Sequence, residues 1–297
     1  MVTVAPLSQS EVALRKSVDQ LLSDSVEPWA SRPGYAVFDD EECNVVNTKM
    51  QRLSIKTPSA QDTPEKPPEP RDPDDSVEAR KRAPATYGEI TSAGARQLFY
   101  HMGLSTDDTG NEEEEIVFVD LGSGRGKLIL QAYMELPRLS KATGIELASP
   151  RHDTAVTAWT DLQSTARKLR FGGQPENESS SKIIKEATVE FLNEDFLEVD
   201  LSNVTHMYIS SLCFPETLMY HIAAKLERDA PKLKCVATLR AFPAEFQKRG
   251  ILDRTSYELV YKTFGFVDRI EEVEMTWTQH RAGGCPTYVY TKAPEFK

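Results

Sequence analysis

The 297-residue sequence lacks several features that would assign it to a familiar class of protein. It contains no run of about 18 consecutive apolar residues, so we expect no membrane-spanning helix. The N-terminal sequence MVTVAPLSQSEV has no basic region followed by an apolar region, which argues against a secretory signal. We therefore expect neither insertion into a membrane nor secretion.

Cysteine and histidine are also scarce. The four cysteines, Cys43, Cys213, Cys235 and Cys285, are far apart and form no C-x-x-C pair, which argues against a zinc ribbon or a disulfide scaffold. We expect free thiols in a reducing compartment. No H-E-x-x-H motif occurs, and none of the five histidines stands in an evident catalytic group, so we expect no metal.

Positive charge is in short supply. Lysine and arginine number 35 against 46 aspartates and glutamates, a formal net charge of −11 at pH 7. Proteins that bind bare nucleic acid usually carry a basic face, whereas an acidic protein is electrostatically complementary to a basic partner. The clusters EARKR (78–82) and RKLR (167–170) are most simply solvated surface, although the first also resembles a weak nuclear-import signal. Only a weak contact with DNA is expected.

An amphipathic helix is predicted over residues 8–24. Ser8 and Glu11 have the spacing of a capping box, in which each side chain satisfies a backbone N–H at the helix start. Four apolar residues recur at helical spacing along one face: Leu14, Val18, Leu21 and Leu22. We therefore expect a small N-terminal helical segment.

A proline-rich stretch divides the chain. Residues 56–84 hold seven prolines and almost no apolar side chains, a composition typical of a disordered linker. The sequence therefore predicts a helical segment over 1–55, a linker over 56–84 and a catalytic domain over 85–297.

Predicted strands and helices alternate after the linker, which favours a mostly parallel, doubly wound α/β sheet. The chain ends in two predicted strands paired as an antiparallel hairpin. The predicted strands are 116–122, 141–148, one that lies within 186–196 and ends before Asp195, 206–214, 234–242, 264–277 and 286–293. The predicted helices between them are 91–103, 125–136, 149–169 and 215–229.

A glycine-rich loop, VDLGSGRG (119–126), connects the first predicted strand to its helix. Such a loop brings the backbone close to a ligand at the carboxyl end of a sheet. The dinucleotide pattern G-x-G-x-x-G fails because Lys127 occupies its last position. The P-loop pattern fails because Leu128 stands where serine or threonine is required. Neither a nicotinamide cofactor nor a nucleoside triphosphate is therefore indicated.

The observed pattern is D-x-G-x-G-x-G, with an acid directly before the loop. Asp120 would repel a pyrophosphate but would attract the sulfonium and ammonium groups of S-adenosylmethionine, which has no phosphate. The sequence therefore predicts an S-adenosylmethionine site at this loop. Its predicted members are Asp120, Gly122, Ser123, Gly124, Gly126 and Lys127.

Two further acids follow the next two predicted strands. Glu146 stands at the end of strand two, where a carboxylate can accept hydrogen bonds from both ribose hydroxyls. Asp195 can accept from the adenine amino group while Phe196 covers the ring face. Each signal is weak alone, but the three in this order indicate the class I S-adenosylmethionine-dependent methyltransferase fold, a Rossmann-like seven-stranded sheet.

Five short motifs extend this prediction: TYGEI (86–90), VDLGSGRG (119–126), GIELA (144–148), EDFL (194–197) and MTWT (275–278). With these motifs the sequence resembles the non-SET histone lysine methyltransferases of the "disruptor of telomeric silencing" type, over about residues 85–293. The segments VDLGSGRGKLILQAY and ISSLCF resemble the compact kinetoplastid branch of that family.

The resemblance implies roles for the segment before strand one and for strand four. Tyr87 and Glu89 would lie on a loop that folds over the methionine end of the cofactor. The family has an asparagine pair followed by aromatics at the methyl-transfer site. Here Ser210 and Ser211 replace the asparagines, while Phe214 keeps an aromatic. A serine hydroxyl donates only one hydrogen bond, so hydrogen bonding at the site differs from the family.

Two aromatics near the C-terminus have two possible roles. By resemblance, Trp277 and Tyr288 would wall the channel that admits the substrate lysine. The spacing between them departs from the family, and each could equally be a core aromatic of the hairpin.

The resemblance implies methyl transfer to a lysine in the globular core of histone H-three on nucleosomes, by a nuclear monomer. No dedicated general base is evident; an apolar channel would lower the pKa of the lysine by desolvation. Two alternatives stay open: an enzyme of the same fold with another protein or a small molecule as substrate, and a non-catalytic adaptor that binds the cofactor or nothing.

Overall fold

The computed structural model describes residues 9–25, 88–104, 115–171, 186–242, 269–278 and 284–291. The predicted linker, the EARKR cluster and Tyr87 lie outside these ranges. Inside them, no helix combines the length and the apolar character needed to span a membrane.

The described strands form one seven-stranded sheet in the order β3-β2-β1-β4-β5-β7-β6. The first five run parallel, and β7 runs antiparallel to both of its neighbours. This topology confirms the class I methyltransferase fold and the C-terminal hairpin. The strands are β1 Ile116–Leu121, β2 Leu139–Ile145, β3 Thr188–Leu192, β4 His206–Ile209, β5 Cys235–Thr238, β6 Arg269–Val273 and β7 Cys285–Thr291.

Five α-helices lie in the described ranges, and each corresponds to a helix predicted from the sequence. They cover both faces of the sheet, which explains why the central strands read as apolar runs rather than as alternating patterns. The helices are α1 Gln9–Ser25, α2 Ser92–His101, α3 Lys127–Glu135, α4 Ser149–Arg170 and α5 Glu216–Asp229.

Two of the parallel strands are shorter than predicted. β4 and β5 end at Ile209 and Thr238, where the prediction had continued them for five and four more residues. The residues that follow leave the sheet and form turns at its carboxyl edge. Ligands of doubly wound sheets bind outside that edge, so the overrun residues belong to the candidate site.

The N-terminal helix shares the hydrophobic core of the catalytic sheet. Val18 and Leu22 are fully buried in the cluster that lies under α2, α3 and α4. Arg96 of α2 connects the helices, because its guanidinium donates to Asp19 of α1 at 2.7 Å and to the buried Glu135 of α3 at 2.9 Å. Residues 9–25 are therefore packed and ion-paired onto the sheet domain, which the sequence alone gave no reason to expect.

Candidate cofactor and methyl-transfer site

The glycine loop leaves β1 in a left-handed backbone conformation, with φ of 78° at Gly122, 55° at Gly124 and 79° at Gly126. Side chains with a Cβ rarely adopt this conformation. A Cβ at Gly126 would also lie 2.5 Å from the ring of Phe191, so the loop packs closely against β3. A Cβ at Gly122 would meet nothing closer than 3.8 Å, so this position opens toward the site.

The carboxylate of Glu146 holds the loop in place. Its Oε2 accepts from the N–H of Gly124, and its Oε1 accepts from the N–H of Ala148, each at 2.9 Å. Glu146 is only 6% exposed. Glu146 lies directly after β2, and the ribose contact expected from the sequence stays a prediction. Each carboxylate oxygen has two lone pairs, so ribose hydroxyls can still be accepted beside the two backbone donors.

Asp120 has a very different environment from Glu146. It is 4% exposed, and among the described residues its Oδ1 has no hydrogen-bond partner. Burial, and then the nearby charge of Glu146, raise the pKa of Asp120 from 3.8 to about 8. A neighbouring cation favours the charged form of a carboxyl group. A buried acid with an unpartnered Oδ1, beside an open glycine backbone, therefore fits the cationic methionine end of S-adenosylmethionine.

The other predicted loop members are also buried. Ser123 is 8% exposed, and its hydroxyl finds no hydrogen-bond partner within the described ranges. Lys127 is 3% exposed at the first residue of α3. Both positions lie where the sequence predicted cofactor contacts, and those contacts stay predictions.

The pair predicted for the adenine is arranged less simply. Asp195 caps a short 3-10 helix, because its Oδ1 accepts from the N–H of Leu197 at 3.1 Å. Phe196 is only 5% exposed and packs into the core on the α5 face of the sheet. The structure therefore places both residues at the end of β3 and gives Phe196 a large structural role.

Asn193 is a site residue that the sequence analysis missed. Its side-chain amide donates to the backbone oxygens of Glu146 at 2.9 Å and Leu147 at 3.1 Å. Its Oδ1 accepts from the Ser149 hydroxyl at 2.8 Å. Asn193 thereby joins the ends of β2 and β3. An asparagine directly after a strand was the available signal, since its side chain readily bonds nearby backbone.

Two of the residues predicted for methyl transfer, Ser210 and Phe214, lie beside Gly122. The N–H of Ser210 donates to the oxygen of Leu121 at 3.1 Å, which keeps β4 alongside β1 to the edge of the sheet. A Cβ built on Gly122 would lie 3.8 Å from both Ser210 Cβ and Phe214 Cζ. The glycine loop and the turn after β4 are thus adjacent, and the roles assigned to Ser210 and Phe214 stay predictions.

Tyr208 was not predicted but lies in the same place. It pairs with Asp120 in the β1–β4 register, is 4% exposed, and its phenol hydrogen-bonds to the side chain of Ser210. Burial, followed by the nearby Asp120 and Cys285, raises the pKa of Tyr208 well above its usual range. The phenol therefore stays protonated and can orient the Ser210 hydroxyl.

Two predicted motifs far apart in sequence pair with each other. The N–H of Glu89 donates to Thr276 Oγ1 at 3.1 Å, and the N–H of Thr276 donates back to the Glu89 oxygen at 2.9 Å. A Cβ at Gly88 would lie 2.2 Å from the ring of Trp277, so only glycine fits there. The segment before strand one is thus held against the segment that carries Trp277.

The two aromatics with open roles lie on different sides of the sheet. Trp277 packs against the cluster under α2 and α3, whereas Tyr288 packs against the α5 cluster. Tyr288 pairs with Thr238, at the carboxyl edge of β5. The position of Tyr288 at the carboxyl edge of the sheet therefore favours the lysine-channel role for this residue. The packing of Trp277 against Gly88 favours a core role for Trp277.

Three solved structures are similar to this chain at low sequence identity. TrmK of M. capricolum, in complex with S-adenosyl-homocysteine, is 11% identical with a TM-score of 0.36 over 68% of this chain and 71% of that chain. A dimethyladenosine transferase from Plasmodium falciparum is 14% identical with a TM-score of 0.37, over 68% of this chain and 62% of that chain. A precorrin 8w decarboxylase from Methanobacterium thermoautotrophicum is 14% identical with a TM-score of 0.37, over 70% of this chain and 93% of that chain.

Comparison with curated protein sequences gave no match. A family model described as "Histone methylation protein DOT1" matches residues 74–282. The match includes all five motifs on which the resemblance was based, and Tyr288 lies beyond its end. Placement in the kinetoplastid branch stays a prediction. Because the match covers more than half of its length, the chain belongs to the DOT1 family of histone methylation proteins.

Proposed function

We propose that this chain is a histone lysine N-methyltransferase that uses S-adenosylmethionine and modifies a lysine in the globular core of histone H-three on nucleosomes. The observation that carries the proposal is the meeting of Gly122, Ser210 and Phe214 at one sheet edge, in a chain of the DOT1 family. The histone, the lysine and the nuclear location follow from the family resemblance.

The residues that would hold the cofactor surround the glycine loop. The open backbone at Gly122 and the acid of Asp120 would take the methionine end, Glu146 the ribose, and Asp195 with the largely buried Phe196 the adenine. When bound, S-adenosylmethionine supplies a methyl group on a sulfonium, which is open to attack by an amine.

The chain's own contribution is to prepare and align the lysine. An ammonium has no lone pair, so the lysine must first lose its proton. The half-buried ring of Phe214 excludes water from the amine, and desolvation lowers the pKa of a lysine. Ser210, beside the Tyr208 phenol, can accept a hydrogen bond from an N–H of the incoming amine, which leaves the nitrogen lone pair free to attack the methyl group. Holding amine and methyl in line is the main catalytic effect we assign to these residues.

Contact with the nucleosome would be mainly with the basic histones. The chain carries a formal charge of −11, which favours a basic partner. Within the RKLR cluster, Arg167 lies 3.4 Å from Glu186, and the Arg170 guanidinium donates to four backbone oxygens between residues 133 and 139. Two of the three basic residues in that cluster therefore already bind partners within the chain, so little of the cluster is available to bind DNA.

The test is methyl transfer from labelled S-adenosylmethionine to intact nucleosomes and, in parallel, to free histones. Mass spectrometry then locates the modified residue and counts its methyl groups. Label on a core lysine of histone H-three supports the proposal. If the protein binds the cofactor but labels no histone, it either methylates another substrate or is a non-catalytic adaptor. The replacement of the family's asparagine pair by Ser210 and Ser211 is compatible with the adaptor.

A paired variant separates a filled site from a misfolded protein. Gly124→Arg should fill the cofactor cleft and abolish both calorimetric binding and transfer while the protein stays folded. Gly103→Arg is the matched control, because Gly103 has a similar φ of 73° and nothing lies within 4 Å of an added Cβ. Normal cofactor binding by Gly124→Arg would contradict the site assignment.

A further inference from the structure

We propose that Arg240 is a positioning residue for methyl transfer: it fixes the turn Ser211–Phe214 and thereby sets where the Phe214 ring lies. The inference rests on the proposed function, because it assumes that Phe214 borders the substrate lysine. It adds a residue that lies outside the motifs of the sequence analysis.

The turn itself has few packing contacts to hold it. β4 ends at Ile209, and the N–H of Phe214 donates to the oxygen of Ser211 at 2.9 Å to close the turn. Leu212 at its tip is 48% exposed, and Cys213 is half-buried. A turn with an exposed apolar tip depends on hydrogen bonds rather than on burial for its position.

The base of the turn is locked to the end of β5 by two hydroxyls. Ser211 is fully buried, and its Oγ lies 2.5 Å from Thr238 Oγ1. Thr238 Oγ1 donates to the oxygen of Arg240 at 3.1 Å, so its single proton is used there. Ser211 therefore donates to Thr238 and accepts from the N–H of Arg240 at 3.0 Å. Every hydroxyl proton in this cluster has one assigned acceptor.

Arg240 closes the connection from the other end. Its guanidinium Nη1 donates to the backbone oxygen of Phe214. Ser211 thus anchors the main chain of Arg240, and Arg240 anchors the main chain of Phe214. The Phe214 ring in turn faces Gly122, where an added Cβ would lie 3.8 Å from its Cζ. The whole connection runs from β5 to the cofactor loop.

The location of Arg240 makes the idea testable without opening the core. Arg240 is exposed, so its side chain can be replaced at little cost in burial. Arg240→Met keeps most of the length of the side chain and removes all of its side-chain hydrogen-bond donors. A shift of about 1 Å in a positioning group costs on the order of 100-fold in rate, so we expect kcat to fall about 10- to 100-fold. The Glu146–Gly124 contact is untouched, so the Kd for S-adenosylmethionine should change by less than about threefold.

The experiment compares three variants with the full-length wild type. Arg240→Met removes the clamp, Arg240→Lys restores one donor, and Arg228→Met is the matched control, since Arg228 is exposed and bonds Asp229 at the end of α5. Each is measured for kcat and KM with nucleosomes, for cofactor Kd by calorimetry, and for amide hydrogen exchange of residues 211–214 without cofactor.

Three results would together support the positioning role of Arg240: Arg240→Met has a lower kcat with unchanged cofactor Kd, its turn exchanges amide hydrogens faster, and Arg240→Lys has an intermediate kcat. Arg228→Met must behave as the wild type for this reading to hold. Wild-type kcat in Arg240→Met would overturn it, whatever the exchange. If the wild type methylates nothing, the proposed function fails, and exchange alone decides the clamp: faster exchange in Arg240→Met supports it and unchanged exchange overturns it.

Discussion

The Oε2 of Glu146 accepts a hydrogen bond from the backbone N–H of Gly124 at 2.9 Å. This contact joins the two best-defined motifs of the sequence, the glycine loop after β1 and the acid after β2. The other oxygen of Glu146 accepts from the N–H of Ala148, directly before α4. One carboxylate therefore sets the shape of the loop and the start of a helix, in addition to any contact with ribose.

Glu146→Ala should destabilise the fold as well as weaken cofactor binding. It removes the acceptor of two buried N–H groups, and each unsatisfied donor costs about 1–3 kcal/mol, so we expect a loss of about 2–4 kcal/mol. The measurement is the free energy of unfolding from denaturant titration. Glu190→Gln is the control: it breaks an exposed pair with Lys141, 2.8 Å apart, and should cost under about 1 kcal/mol. Equal effects of the two variants would contradict the assigned role.

Asp120 should make the fold less stable as the pH rises. Its pKa is raised in the folded protein from 3.8 to about 8, so the folded state binds its proton more tightly than the unfolded chain does. The stability that this proton contributes is complete below about pH 4 and is lost progressively up to about pH 8. Asp120→Asn should remove that slope and be the more stable protein at pH 8. Denaturant unfolding at pH 5, 7 and 9 checks this, and parallel curves for both proteins would refute it.

Cofactor binding should release a proton from Asp120. Near pH 7 the empty site holds Asp120 mainly in its neutral form, and a bound cation favours the charged form. Calorimetry in buffers of different ionisation enthalpy should therefore detect release of up to about one proton in the wild type and none in Asp120→Asn. Asp161→Asn, at an exposed site on α4, should behave as the wild type. Equal proton release by wild type and Asp120→Asn would exclude Asp120 as the source.

Gly88 and Trp277 should show strong energetic coupling. Gly88→Ala places a Cβ 2.2 Å from the indole ring, an overlap that costs about 1–3 kcal/mol. Shortening the partner with Trp277→Leu should relieve the clash, so the double variant should be less destabilised than the sum of the two single variants. A double-mutant cycle on unfolding free energies measures this, and simple additivity would show that the two segments do not pack as described.

Arg96 should be a main attachment of the N-terminal helix. Arg96→Met leaves the carboxylate of Glu135, whose side chain is 3% exposed, without its guanidinium, which should cost about 3 kcal/mol. Asp19→Asn weakens only the partly exposed end of the network, with a side chain 45% exposed, and should cost under about 1 kcal/mol. Thermal unfolding measures the stability of both variants. If Arg96→Met is as stable as the wild type, apolar contacts such as those of Val18 and Leu22 hold α1 without help from the ion pairs.

The amino-acid sequence by itself determined the elements, the fold class and the cofactor loop. Periodicity and caps are properties of neighbouring residues, so the helices and the order of strands could be predicted locally. The glycines of VDLGSGRG and the acids after each strand were readable for the same reason. Strand ends were the weakest part, because residues such as Ser211 and Leu239 have strand-like neighbours yet take their conformation from turns at the sheet edge.

Only the tertiary structure decided which of these residues meet. It paired Glu89 with Thr276, 187 residues away, placed β7 between β5 and β6, and joined Glu146 to Gly124. It also packed Phe196 into the core and linked Arg240 to the turn after β4. Such contacts depend on where long-range closure of the chain brings each backbone, and a buried carboxylate or guanidinium then bonds whatever donor or acceptor lies within reach. No local pattern carries that information, because it arises from packing the whole sheet.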